Sequence, residues 1–147
     1  MSDYNAELSD LYRRVVQSEL QVPASVGEDG DVNFQHPYLG ELSIDLDGSK
    51  PEWMDLVWMI NRIETHAFED LLRICNDVNL TPWPAVLTVD ESNLIVSADV
   101  ALFVAAVGRM PDEALLRGVI GQAVSVLEEA IEAFEVEIQK LDNAQTA

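Results

Sequence analysis

Trp53-Met54-Asp55-Leu56-Val57-Trp58-Met59-Ile60 is the stretch whose reading decides the fold. Leu56, Trp58 and Ile60 alternate as in a strand, although a short apolar run also fits a buried helical segment. Asp47-Gly48-Ser49-Lys50-Pro51 turns the chain just before it, and we read residues 53–63 as a strand. That reading joins it to the alternation upstream. Leu42, Ile44 and Leu46 alternate with Ser43, Asp45 and Asp47, the signature of a half-buried strand with one polar face. Val32 and Phe34 alternate in the same way after the turn Glu28-Asp29-Gly30-Asp31, and residues 37–40 separate the two runs.

Helical spacing flanks these strands. Leu8, Leu11, Tyr12, Val15 and Val16 predict a helix over residues 3–20, ended by Pro23. Ala67, Phe68, Leu71, Leu72, Cys75 and Val78 predict another over residues 64–79, closed by Leu80-Thr81-Pro82-Trp83-Pro84. Residues 85–90 and 94–102 read as a hairpin about Asp90-Glu91-Ser92-Asn93. The last helix is the clearest element: Pro111, Asp112 and Glu113 open it, and Leu116, Ile120, Ala123, Leu127, Ile131, Phe134, Ile138 and Leu141 draw one apolar stripe. Gly118 and Gly121 lie inside it, which fits either close packing of a neighbour or a hinge. The order is α-βββ-α-ββ-α. Short turns imply an antiparallel sheet packed against helices, an α+β fold, in a single domain over residues 1–147 with its ordered core at roughly 3–141.

Composition narrows the function classes. The 147 residues carry 27 Asp and Glu against 8 Lys and Arg, a formal charge of −19. The acids spread along the whole chain, 11 in residues 1–52, 8 in 53–110 and 8 in 111–147, so the charge belongs to the domain surface and not to a tail. Nucleic acids and anionic membranes repel such a surface, because binding them relies on Lys and Arg. With 48% apolar residues the chain is not a disordered polyanion. Cys75 is alone and forms no internal disulfide. The start, Met1-Ser2-Asp3-Tyr4-Asn5-Ala6-Glu7, does not read as a signal peptide, and the apolar stretch Val100 to Gly108 is far short of the ~20 residues of a membrane span. A cytoplasmic protein is expected.

No catalytic set emerges. His66 and Cys75 on one helix would lie about 13–14 Å apart along its axis, beyond hydrogen-bond reach. His36 precedes Pro37 in a turn. Glu28, Asp29 and Asp31, and separately Asp45 and Asp47, complete no calcium loop, and one Cys with two His falls short of a zinc site. No glycine-rich loop opens a helix for phosphate, so no cofactor is expected. Among so many carboxylates, none is marked as a glycosidase-like pair. The concentrated signal is apolar: Trp53, Met54, Trp58, Met59 and Trp83 fall within about thirty residues. They either fill the core between sheet and helices or form a partner or dimer surface. Trp83, flanked by Pro82 and Pro84, is the best candidate for exposure.

Three stretches carry a resemblance. They are Tyr38-Leu39-Gly40-Glu41-Leu42-Ser43-Ile44-Asp45 through Pro51-Glu52-Trp53-Met54; the helix end Ile74-Cys75-Asn76-Asp77-Val78-Asn79; and Ala85 to Phe103 followed by the proline and acids that open the last helix. With the element order they resemble the type III secretion chaperone-like superfamily, and within it the YbjN-type branch of bacterial sensory transduction regulators. The resemblance spans roughly residues 3–141 and carries no catalytic motif. It implies a homodimeric, non-enzymatic protein, chaperone-like or regulatory, that binds a protein or peptide partner. The apolar cluster, and not the resemblance, supplies Trp53, Trp58, Met59 and Trp83 as candidate partner or dimer surface. Two routes of capture are open, strand addition at a sheet edge or an apolar segment laid in a groove. The alternative is an acid-based hydrolase or small-molecule binder, which needs a pocket lined by two carboxylates of raised pKa.

Overall fold

A computed structural model describes residues 4–60, 65–81, 84–92 and 95–146. The elements are α1 (Ala6–Leu20), β1 (Ala24–Val26), β2 (Val32–His36), β3 (Gly40–Asp45), β4 (Trp53–Ile60), α2 (Phe68–Asn79), β5 (Val86–Asp90), β6 (Ile95–Phe103) and α3 (Glu113–Thr146). The six strands form one sheet in the order β1-β2-β3-β4-β6-β5, with every neighbouring pair antiparallel. The decisive stretch is therefore a strand, at the centre of the sheet. One strand more is present than the sequence pattern predicts. β1 is three residues long, too short to show a period, and exists because the turn after it folds Ala24-Ser25-Val26 back onto β2.

Alternation in the strands and periodicity in the helices meet in one core. Phe34, Leu42, Ile44, Met54, Leu56, Trp58, Val96, Ala98 and Val100 project from one sheet face. Against them lie Leu8, Tyr12 and Val15 of α1, Leu71, Ile74 and Cys75 of α2, and the stripe of α3 from Leu116 to Ile138. Leu141, the last member of that stripe, is half-buried.

Local chemistry places the ends. The Asn5 side chain accepts from the Leu8 N–H at 3.0 Å and caps α1, so the helix starts at Ala6 and not at Asp3. Gln21 takes a left-handed conformation and ends it. The buried Ser9 hydroxyl donates to the Gly30 carbonyl at 2.7 Å, which ties α1 to the β1–β2 turn. Gly30 has φ +92°, and a Cβ there would lie 2.7 Å from the Tyr4 ring. Glu52 is buried and holds the chain after β6. Its carboxylate accepts from the Gly108 N–H at 3.2 Å and its carbonyl from the Val104 N–H at 2.7 Å.

The two glycines of α3 serve neither role expected of them. A Cβ at Gly118 would meet nothing within 4 Å, and one at Gly121 would reach only the Glu19 carboxylate at an ordinary 3.6 Å. The helix is continuous through both, from Glu113 to Thr146. Opposite outcomes are therefore expected for two glycine-to-alanine changes in denaturant titrations. Gly118→Ala raises stability by ~0.5–1 kcal/mol through helix propensity. Gly30→Ala lowers it by about 1–3 kcal/mol through positive φ and the clash with Tyr4.

Candidate functional site

Because all helices pack on one face of the sheet, the other face is open. β4 turns Trp53, Asp55, Val57 and Met59 outward, and β6 turns Asp99, Ala101 and Phe103 the same way. β3 adds Glu41, Ser43 and Asp45, and β5 adds Val86, Thr88 and Asp90. Met59 is 60% exposed and Phe103 80%; Trp53 is half-buried and pairs across the ladder with Phe103. Among the described residues no strand contains a Lys or Arg.

Carboxylates meet at the middle of this face. Asp45 stands directly opposite Asp55, and Asp99 lies on the diagonal, since Val57 faces Asp99 and Asp55 faces Ala101. Burial first, and then the neighbouring Asp99 and Asp45 carboxyls, push Asp55 up to about 7. Its Oδ1 is buried without a hydrogen-bond partner among the described residues. Toward β1 a depression of about 400 Å³ is lined by Asp29, Asp31, Glu41, Asp45, Val57 and Met59, among others. Asp31 is pushed up to about 6, chiefly by burial and against the Leu46 N–H that it accepts at 2.9 Å. The two raised carboxyls are not partners: the depression that Asp31 lines does not include Asp55.

A second apolar surface continues from the sheet's end. Phe103 is followed by exposed Val107 (88%) and Met110 in the connection to α3, then by exposed Leu115 on its first turns. A cleft of about 250 Å³ joins Leu102 and Phe103 of β6 to Val119 and Val126 of α3.

Of the predicted surface residues, Met59 and Trp53 lie on the open face, and Trp83 lies outside the described residues. Trp58 is a core residue instead. It is 4% exposed, donates its indole N–H to the Leu39 carbonyl at 3.1 Å, and meets Phe134 edge-on at 6.5 Å. Period-2 alternation already placed it on the inner face with Leu56, opposite Met59.

Both histidines clasp α3. His36 Nε2 is 2.8 Å from Glu128, while its Nδ1 accepts from the Tyr38 and Leu39 N–H groups. His66 Nε2 is 2.8 Å from Asp142. Cys75 is buried, and burial pushes its thiol up to about 11, which leaves no thiolate to act as a nucleophile. Among the described residues no cluster of three His, Cys, Asp or Glu is placed to hold a metal ion, and no helix is long and apolar enough to cross a membrane.

Each sheet edge is engaged at one residue. On β5 the Asn79 amide donates to the Leu87 carbonyl and accepts from the Leu87 N–H, both at 2.8 Å, imitating a further strand at that position. On β1 the Gln17 amide donates to the Ala24 carbonyl at 3.3 Å. Edge groups satisfied in this way are poor templates for another chain.

No protein-family model and no curated protein sequence matches the chain. Solved structures share its fold, two of them as follows. YbjN from E. coli, a candidate transcription regulator, matches with a TM-score of 0.65 at 13% identity, covering 90% of this chain and 92% of that one. A chain of the HopA1–SchA chaperone–effector complex matches with a TM-score of 0.56 at 17% identity, covering 86% and 91%. The resemblance read from the sequence thus holds at the level of fold.

Two outcomes follow from this geometry. Asp55 and Asp31 bind protons more tightly in the folded chain than an ordinary aspartate does, so stability falls as pH rises from about 4 to 7. Asp55→Asn flattens that fall in pH-dependent melting. It also raises stability above pH 7 by on the order of 1 kcal/mol, after discounting for solvent screening of a half-exposed group. Asn79→Ala uncovers the Leu87 pair and lowers stability by about 1–3 kcal/mol in denaturant titrations.

Proposed function

We propose that the chain is a non-enzymatic, chaperone-like or regulatory protein-binding module that works as a homodimer in the cytoplasm. The carrying observation is the succession of exposed apolar side chains along the chain, Phe103, Val107, Met110 and Leu115, together with the cleft between Phe103 of β6 and Val119 and Val126 of α3. A monomer gains nothing by exposing large apolar side chains, and their accumulation supports an association site. A two-fold contact would bury it against its own copy, since an isologous interface needs one self-complementary patch. The fold likeness to a candidate regulator and to a chaperone–effector complex supports protein binding as the class of work.

The test is oligomeric state. Light scattering is expected to give twice the 16.3 kDa chain mass for the wild-type protein and a folded monomer for Val107→Asp/Leu115→Asp. Both side chains are solvent-exposed, so the double change leaves the core untouched. A monomeric wild-type protein at tens-of-micromolar concentration overturns the homodimer.

A further inference from the structure

We propose that the open face of the sheet is the docking surface for a cationic, apolar segment of another protein, its basic side chains set against Asp45, Asp55 and Asp99 and its apolar ones against Trp53, Val57 and Met59. This rests on the protein-binding reading above and assigns that binding a surface and a partner chemistry.

Three features of the face converge. It is left uncovered by the chain's own helices, all of which pack on the opposite side, and it exposes Phe103 beside a half-buried Trp53 at one end and Met59 at the other. Its charge has one sign among the described residues of the six strands, which carry Glu41, Asp45, Asp55, Asp90 and Asp99 and no Lys or Arg. Its centre breaks a rule of sheet stability, since like charges directly opposite destabilise a ladder, and Asp45 faces Asp55 with Asp99 on the diagonal. Such a local conflict is characteristic of a functional surface. An Arg or Lys laid over the three carboxyls relieves it.

The alternatives fit the charge less well. A second copy docked face to face would oppose two acidic centres at low dielectric. Strand addition is hindered by Asn79 on β5 and Gln17 on β1. An open face of this composition recognises side chains, and the side chains it complements are basic and apolar.

The probe is a short end-blocked peptide of alternating arginine and leucine, titrated into the full chain by calorimetry and mapped by amide chemical shifts. A glutamate–leucine peptide and an arginine–serine peptide are the controls. Saturable binding that weakens with salt, perturbs residues 45, 55, 57, 59 and 99, and is lost with the glutamate–leucine peptide is expected. The triple change Asp45→Asn/Asp55→Asn/Asp99→Asn, near-isosteric and checked by circular dichroism, should weaken it at least about tenfold. Met59→Ser should weaken the arginine–leucine peptide but leave the arginine–serine peptide unchanged. Absence of binding overturns the proposal. So does equal affinity for the triple variant, or a map centred on Glu129 and Glu132 of α3. Self-association of the free protein that Met59→Ser abolishes also overturns it, by assigning the face to a second copy. The Val107→Asp/Leu115→Asp variant separates the two readings: peptide binding by that monomer supports the face whatever becomes of the homodimer.

Discussion

The pairing of β4 with β6 over eight consecutive residues is the constraint on which the rest of the structure depends. Both strands alternate, and their register puts the alternations in phase, so Met54, Leu56 and Trp58 face the helices together with Val96, Ala98 and Val100. A slip of one residue would turn all of these to water and bring Asp55 and Asp99 inside, at a cost no domain of this size can absorb. The same phase relation sends Asp55, Asp99, Trp53, Met59 and Phe103 outward together. The core and the open face are therefore two consequences of one register.

α3 completes the inner side. Its stripe lies over the sheet, and Trp58 against Phe134 is one point of contact. The helix is also held from outside the core, by His36 on Glu128, His66 on Asp142 and Arg14 on Glu113. These clasps engage acids that would otherwise only add to a charge of −19. The remaining acids keep a chain with large exposed apolar side chains soluble, and the amides of Asn79 and Gln17 close the sheet's edges.

Much of this was legible in the residues, and the misses have physical causes. Strand alternation marked β2, β3 and β4, and a 3.6-residue period marked all three helices. β1 escaped because three residues cannot display a period. Trp58 was grouped with Met59 because composition counts both as interface formers, whereas alternation puts neighbours on opposite faces. A glycine inside a helical period suggests either close packing or a hinge, yet Gly118 lies on the solvent side of a continuous helix. His36 and His66 gave no signal, since their carboxylate partners stand 92 and 76 residues further along the chain.

What the sequence determined by itself is local and periodic. Where the chain is helix or strand, which residues face inward, and that the surface is uniformly acidic all follow from spacing and composition, which need no knowledge of distant neighbours. The tertiary structure alone decided which carboxylates meet on the open face, which amides close the edges, and which apolar side chains remain uncovered. Those outcomes depend on strand order and on which sheet face the helices cover, and both are properties of contacts between residues far apart in the chain.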